Sequence, residues 1–194
     1  MRLLRSSLLA IAVLALCAGL GYAFMLQSTV CGTGGSVSGC NPATQEVGDR
    51  SEWTGPVNGT VDDARCLLAA AECSGTLGYG YAWHEAGSGT DNAKICVYLA
   101  STRALVACSG AISSSADGEW VETPGKLGGS VTASTDYYVC VVSDESIWTH
   151  GMRTSGSATV DNVLEVGYDS PLETLPAADS TDTSSNLSVY VVIE

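Results

Sequence analysis

Residues 76–85 read TLGYGYAWHE, with Leu77, Tyr79, Tyr81 and Trp83 alternating against Gly78, Gly80, Ala82 and His84. Successive side chains of a strand point to opposite faces, so this period of two predicts a strand with one thick and one thin face. The thick face, with Tyr79, Tyr81 and Trp83, is expected to fill core. The run TASTDYYVCVV at 132–142 has the same character: small polar residues, then aromatic and β-branched ones. Further strands are predicted at AKICVYL (93–99), ALVACS (104–109), EWVET (119–123), SIWTHGMRT (146–154) and NLSVYVVIE (186–194). In the last, Leu187, Val189, Val191 and Ile193 alternate with Ser188, Tyr190, Val192 and Glu194. Turn-forming stretches separate the runs, as in GSGTDN, SSSADG and PGKLGGS. Many short strands and few helix candidates predict an all-β sandwich. One segment pulls the other way: DDARCLLAAAEC (62–73) has an Asp cap and the Ala, Leu and Glu content of a short helix.

The ends of the chain are patterned differently. Arg2 and Arg5 precede an apolar run from Leu8 to Leu20, and Gly21-Tyr22-Ala23 offers small residues for a cut after Ala23. This is the three-part pattern of a signal peptide, residues 1–23. An uncleaved signal anchor is the competing reading, because the apolar stretch approaches the roughly 17 to 25 residues that span a bilayer. Lipid attachment at Cys17 is a third, weakened by the bulk of Leu16 before it. Residues 24–52 are rich in Gly, Ser, Thr and Asn with no apolar period, and read as an arm stapled by Cys31 and Cys40; residues 53–194 read as the sandwich domain. After cleavage no stable membrane insertion is expected.

Charge narrows the partners. Beyond the leader, six basic residues stand against 21 acidic ones, a net charge of −15. Arg50, Arg65, Lys94, Arg103, Lys126 and Arg153 are scattered, so no basic patch for nucleic acid is expected. Seven cysteines remain, and in an exported chain they are read first as disulfides, since no C-x-x-C zinc spacing occurs. Proximity pairs Cys31 with Cys40, Cys66 with Cys73 and Cys96 with Cys108. That leaves Cys140 as a buried thiol or an intermolecular bond, with Cys96–Cys140 a competing pairing.

Signals for catalysis are weak. His84 and His150 are the only histidines, no G-x-S-x-G elbow occurs, and GSGTDNAK lacks the Gly-Lys-Ser/Thr of a phosphate loop. His84 and Glu85 are neighbours on a strand and so point apart. A non-enzymatic chain that requires no cofactor is expected. Ligand binding is assigned instead to aromatics in polar, loop-like surroundings, namely Trp53, Trp148 and Tyr168, with His150 beside Trp148. Asp62, Asp63 and Asp161 supply oxygen ligands for a structural calcium, without EF-hand spacing.

From residue 59 to the C-terminus the order of strands resembles a jelly-roll β-sandwich module of secreted bacterial and phage-associated proteins, similar to non-catalytic carbohydrate-binding modules. The likeness is carried by the lysine-bearing AKICVYLAS, the Trp-led GEWVETPG and, above all, GSVTASTDYYVCVVSD. Ser134 stands where the family has glycine in that last strand. The resemblance implies that 62–73 is strand and turn, that Trp120 and Tyr138 are core anchors, and that the partner is a cell-surface or extracellular polysaccharide. The alternative is a self-associating subunit of an extracellular layer or filament that donates its arm to a neighbour as an added strand.

Overall fold

Alternation in the sequence becomes strand pairing in the computed structural model, which describes residues 45–52, 56–58, 62–85, 91–114, 118–144 and 149–194. Within these residues there are thirteen strands and no helix. The first sheet is built on β4 (Gly75–His84), which pairs on one side with β13 (Val189–Ile193) and on the other with β8 (Glu119–Glu122) and β9 (Ser130–Val131). Strand β1 (Glu46–Asp49) adds to the outside of β13. The second sheet runs β12 (Ser180–Leu187), β11 (Thr149–Val163), β3 (Ala64–Ala70), β10 (Asp136–Ser143), β5 (Asp91–Leu99) and β6 (Leu105–Cys108). Strand β7 (Ile112–Ser114) also pairs with β5, and β2 (Pro56–Asn58) pairs with the start of β11. Every ladder is antiparallel. The all-β sandwich expected from the pattern is therefore present.

Strand β11 joins the two sheets. Its start bridges β4 at His150 and His84, while its end, Thr159 to Val163, pairs with β3. The core between the sheets takes Val47, Leu77, Val189, Val191 and Ile193 from one side and Leu67, Ile95, Val97, Val139 and Val141 from the other. The helix-like run 62–73 becomes β3 because both of its faces are buried: Leu67 turns into this core and Cys66 away from it, into a second one. Burial on two opposite faces suits a strand in a central position and overrides the local helix preference.

The second core lies on the outer face of the second sheet. It gathers Ala64, Cys66, Cys96, Tyr98, Cys140 and Val142 from the strands, and Val163, Val166 and Leu175 from the end of β11 and the segment after it. That segment, 164–179, has no strand of its own yet covers the sheet like a third layer. Its backbone is held by Asp62, whose carbonyl accepts from the Val166 and Gly167 amides and whose Oδ1 accepts from the Tyr168 amide at 2.8 Å. Lys94 Nζ donates to the Tyr168 carbonyl at 2.6 Å, and Arg103 Nε donates to the Leu175 carbonyl at 3.0 Å.

Two disulfides join described residues to each other, and only one of these follows sequence proximity. Cys96 and Cys108 are joined, as expected from two short strands around a tight turn. Cys66 is joined to Cys140, not to Cys73, and Cys140 is not a free thiol. The reason is strand order: β10 lies beside β3, which sets Cys140 directly opposite Cys66. Cys73 is also disulfide-bonded, to a partner outside the described residues. The proposed Cys31–Cys40 pair lies outside them too.

An aromatic face as the candidate functional site

The thick face of β4 is not in the core. Gly80, Ala82 and His84 point inward, and Tyr79, Tyr81 and Trp83 point outward, half-buried. The facing sheet and loop supply the bulk that the thin face lacks: a Cβ on Gly80 would lie 3.1 Å from Ile95 Cδ1 and 3.3 Å from Leu127 Cδ1. Leu77 escapes the alternation. Val191 pairs with Gly80 and Ile193 with Leu77, so β4 holds one extra residue there, and this irregularity turns Leu77 inward.

Strand register then assembles the outward aromatics into one cluster. Tyr190 of β13 is directly opposite Tyr81, and Trp120 of β8 is directly opposite Trp83. The Tyr81 and Tyr190 rings stack with centroids 4.9 Å apart. Trp120 meets Tyr190 edge-on at 5.1 Å and Trp83 edge-on at 5.5 Å. Arg50, just beyond β1, lies over the Tyr190 ring, its Cζ 4.7 Å from the centroid. These are the offset and edge-to-face geometries that aromatic quadrupoles favour. Trp120 is thus not the core anchor that the resemblance implied, and Tyr138 is half-buried against the second core.

Carboxylates rim the cluster and fix its polar edges. Tyr81 Oη donates to Glu122 Oε2 at 2.5 Å, and Trp83 Nε1 donates to Glu85 Oε2 at 2.7 Å. The Glu122 carboxylate holds the Tyr81 phenol protonated, pushing its pKa up to about 12. Burial, partly offset by Arg50, raises the Tyr190 phenol as well. Glu46 accepts from Arg50 Nε at 2.7 Å; partial burial raises its pKa against the pull of that guanidinium. The result is a ledge of aromatic carbon bordered by hydrogen-bond acceptors and one positioned cation.

The residues singled out from sequence fall elsewhere. Trp53 and Trp148 lie outside the described residues, as does the side chain of His150, whose backbone pairs with β2 and β4. Tyr168 belongs to the cover of the second sheet, with Lys94 Nζ 4.5 Å from its ring centroid. His84 is fully buried. Of the acids assigned to calcium, Asp62 holds the covering segment, Asp63 is buried and its carbonyl accepts from the Ser143 amide, and Asp161 accepts from Thr181 Oγ1 at 2.7 Å. Among the described residues no group of three or more His, Cys, Asp or Glu side chains is arranged to hold a metal. No helix there is long and apolar enough to cross a membrane.

No protein-family model matches the chain, and no curated protein matches it either.

Proposed function

We propose that the chain is an exported, non-catalytic recognition module that binds polysaccharide on the outer face of its first sheet. The observation that carries the reading is the cluster of Tyr81, Trp83 and Trp120, half-buried on an outward sheet face and packed on the buried ring of Tyr190. Aromatic rings pack against the C–H faces of pyranose rings, while carboxylates at the edge accept from sugar hydroxyls. Glu85 and Glu122 are placed for the second task. The surplus of acidic residues favours neutral or amino sugars over uronic-acid or sulfated polymers, which the net charge would repel. The leader-like N-terminus and the disulfides fit an oxidising compartment outside the cytoplasm. Residues Glu46–Asp49, within the polar arm, complete the edge of the chain's own sheet, which speaks for a self-contained module over strand donation by that part of the arm.

Affinity electrophoresis through gels containing neutral, amino and acidic polysaccharides tests the proposal. Retardation by a neutral or amino polymer is expected, and Tyr81→Ala and Trp120→Ala should each weaken it about tenfold or more, as for central aromatic anchors. Loss of binding in Tyr168→Ala or Trp148→Ala, with Tyr81→Ala and Trp120→Ala unaffected, would move the ligand to the loops. No retardation by any polymer, together with ordered multimers on size exclusion, would favour the structural subunit.

A further inference from the structure

Four cysteines form one straight row across four neighbouring strands. Cys140 of β10 is directly opposite Cys66 of β3 on one side and directly opposite Cys96 of β5 on the other, and Cys96 is directly opposite Cys108 of β6. All four side chains project to the same face, into the second core beneath the covering segment. Cys66, Cys96 and Cys140 are fully buried, whereas Cys108 is half-buried on the outermost strand of this side of the sheet. The bonded pairs have Cα atoms 3.9 and 4.1 Å apart, the close spacing of non-hydrogen-bonded opposite residues. A strand residue sends its N–H and C=O to the same side, so Cys140 and Cys96 form the alternate, hydrogen-bonded kind of pair, with Cα atoms about 5.5 Å apart. That separation lies within the usual Cα range of roughly 4.4 to 6.8 Å, and the Cβ atoms of such a pair, about 5.5 Å apart, must close to about 4.5 Å or less for the bond to form.

We propose that Cys108 is a site of modification by low-molecular-weight thiols, and that the row relays the exchange inward to Cys66. An external thiolate attacks the Sγ of Cys108, the one half-buried cysteine of the row, forming a mixed disulfide and expelling Cys96 as thiolate. Cys96, directly opposite Cys140 in the register, then attacks Cys140 Sγ and Cys66 departs as thiolate, which requires the Cys96 side chain to turn to the far side of the Cys140–Cys66 bond. Cys66 takes up the proton that the external thiol released. Two disulfides and one thiol are present before and after, so no net oxidant or reductant is consumed. The outer staples β3–β10 and β5–β6 are exchanged for a central one between β10 and β5, with a thiol at Cys66 opposite Asp161 of β11. Burial of the inner sulfurs restricts access and makes the relay slow compared with exchange between exposed thiols.

The test treats the oxidised full chain with glutathione at pH 8 under native conditions, quenches with acid, labels free thiols with N-ethylmaleimide after denaturation and maps the peptides. The expected products are glutathione on Cys108, label on Cys66 and a Cys96–Cys140 cross-linked peptide, in equal amounts. Glutathione on Cys108 with label on Cys96 and the Cys66–Cys140 bond intact would overturn the relay. Entry of glutathione at Cys66 or Cys140, or no reaction at either disulfide, would overturn the site itself. Cys108→Ser starts the second step without any added thiol: a Cys96–Cys140 peptide with label on Cys66 supports the relay, and label on Cys96 alone refutes it. Should that variant fail to fold, the reaction of the native chain decides.

Discussion

Ser134 has a φ of 59°, in the left-handed region where a Cβ is penalised. Its amide donates to the Ala71 carbonyl at 2.8 Å, which holds it there. Ser134→Gly should raise stability by roughly 0.5 to 1 kcal/mol, the relieved strain less the entropy that glycine adds to the unfolded chain, as read by urea denaturation. Tyr98 presents the opposite problem. It is fully buried, and its hydroxyl has no hydrogen-bond partner among the described residues. Tyr98→Phe should therefore be stabilising by about 1 kcal/mol at pH 7. Burial also pushes the Tyr98 phenol up to about 12, so the folded state holds this proton more tightly than the unfolded state does. The associated stability is complete below about pH 10, the unfolded value, and is lost as pH rises through about 12. Melts at pH 8 and pH 11 should show a steeper alkaline loss in the wild type than in Tyr98→Phe.

At the scale of elements, the segment 164–179 behaves as part of the fold although it contains no strand. Leu175 is 1% exposed, and its amide donates to the Arg103 carbonyl while its own carbonyl accepts from Arg103 Nε. Leu175→Ala should cost about 2 to 5 kcal/mol, the usual range for emptying a buried leucine site, and a surface-loop residue would not show it. Strand β4 yields a paired expectation. Gly80→Val forces bulk against Ile95, Leu127 and Thr123 and should cost about 1 to 3 kcal/mol, while Gly125→Ala, with nothing within 4 Å of the added Cβ, should leave the chemical-denaturation midpoint nearly unchanged.

At the scale of the molecule, the two disulfides that join described residues differ most in the length of chain they close. Cys66 and Cys140 are 74 residues apart in sequence, Cys96 and Cys108 only 12. If restriction of the unfolded chain dominates, replacing the first pair by alanine should cost about 4 kcal/mol and the second about 3 kcal/mol. Equilibrium unfolding of the two double variants measures the difference. A larger loss from the short loop would mean that local packing under the covering segment, and not chain entropy, sets the contribution.

Local alternation by itself determined that this is an all-β chain, and it located β4, β5, β6, β8, β10 and β13 closely, because side-chain period and turn chemistry act over a few residues. The run NLSVYVVIE shows this best: Leu187, Val189, Val191 and Ile193 face the core as their spacing predicts. Strand β12 is not legible in the sequence because STDTSSNL carries little apolar alternation; it is an edge strand stabilised by its neighbour. Three things depended on the tertiary structure. Which face of β4 turns inward depends on the bulk of Ile95 across the sandwich, so Tyr81 and Trp83 are outside, and their meeting with Tyr190 and Trp120 depends on register between distant strands. Cys140 finds Cys66 because β10 lies beside β3, an order no spacing encodes. Period two divides a strand into two faces, but only the neighbouring sheet, through the space it fills or leaves, assigns one of them to the core.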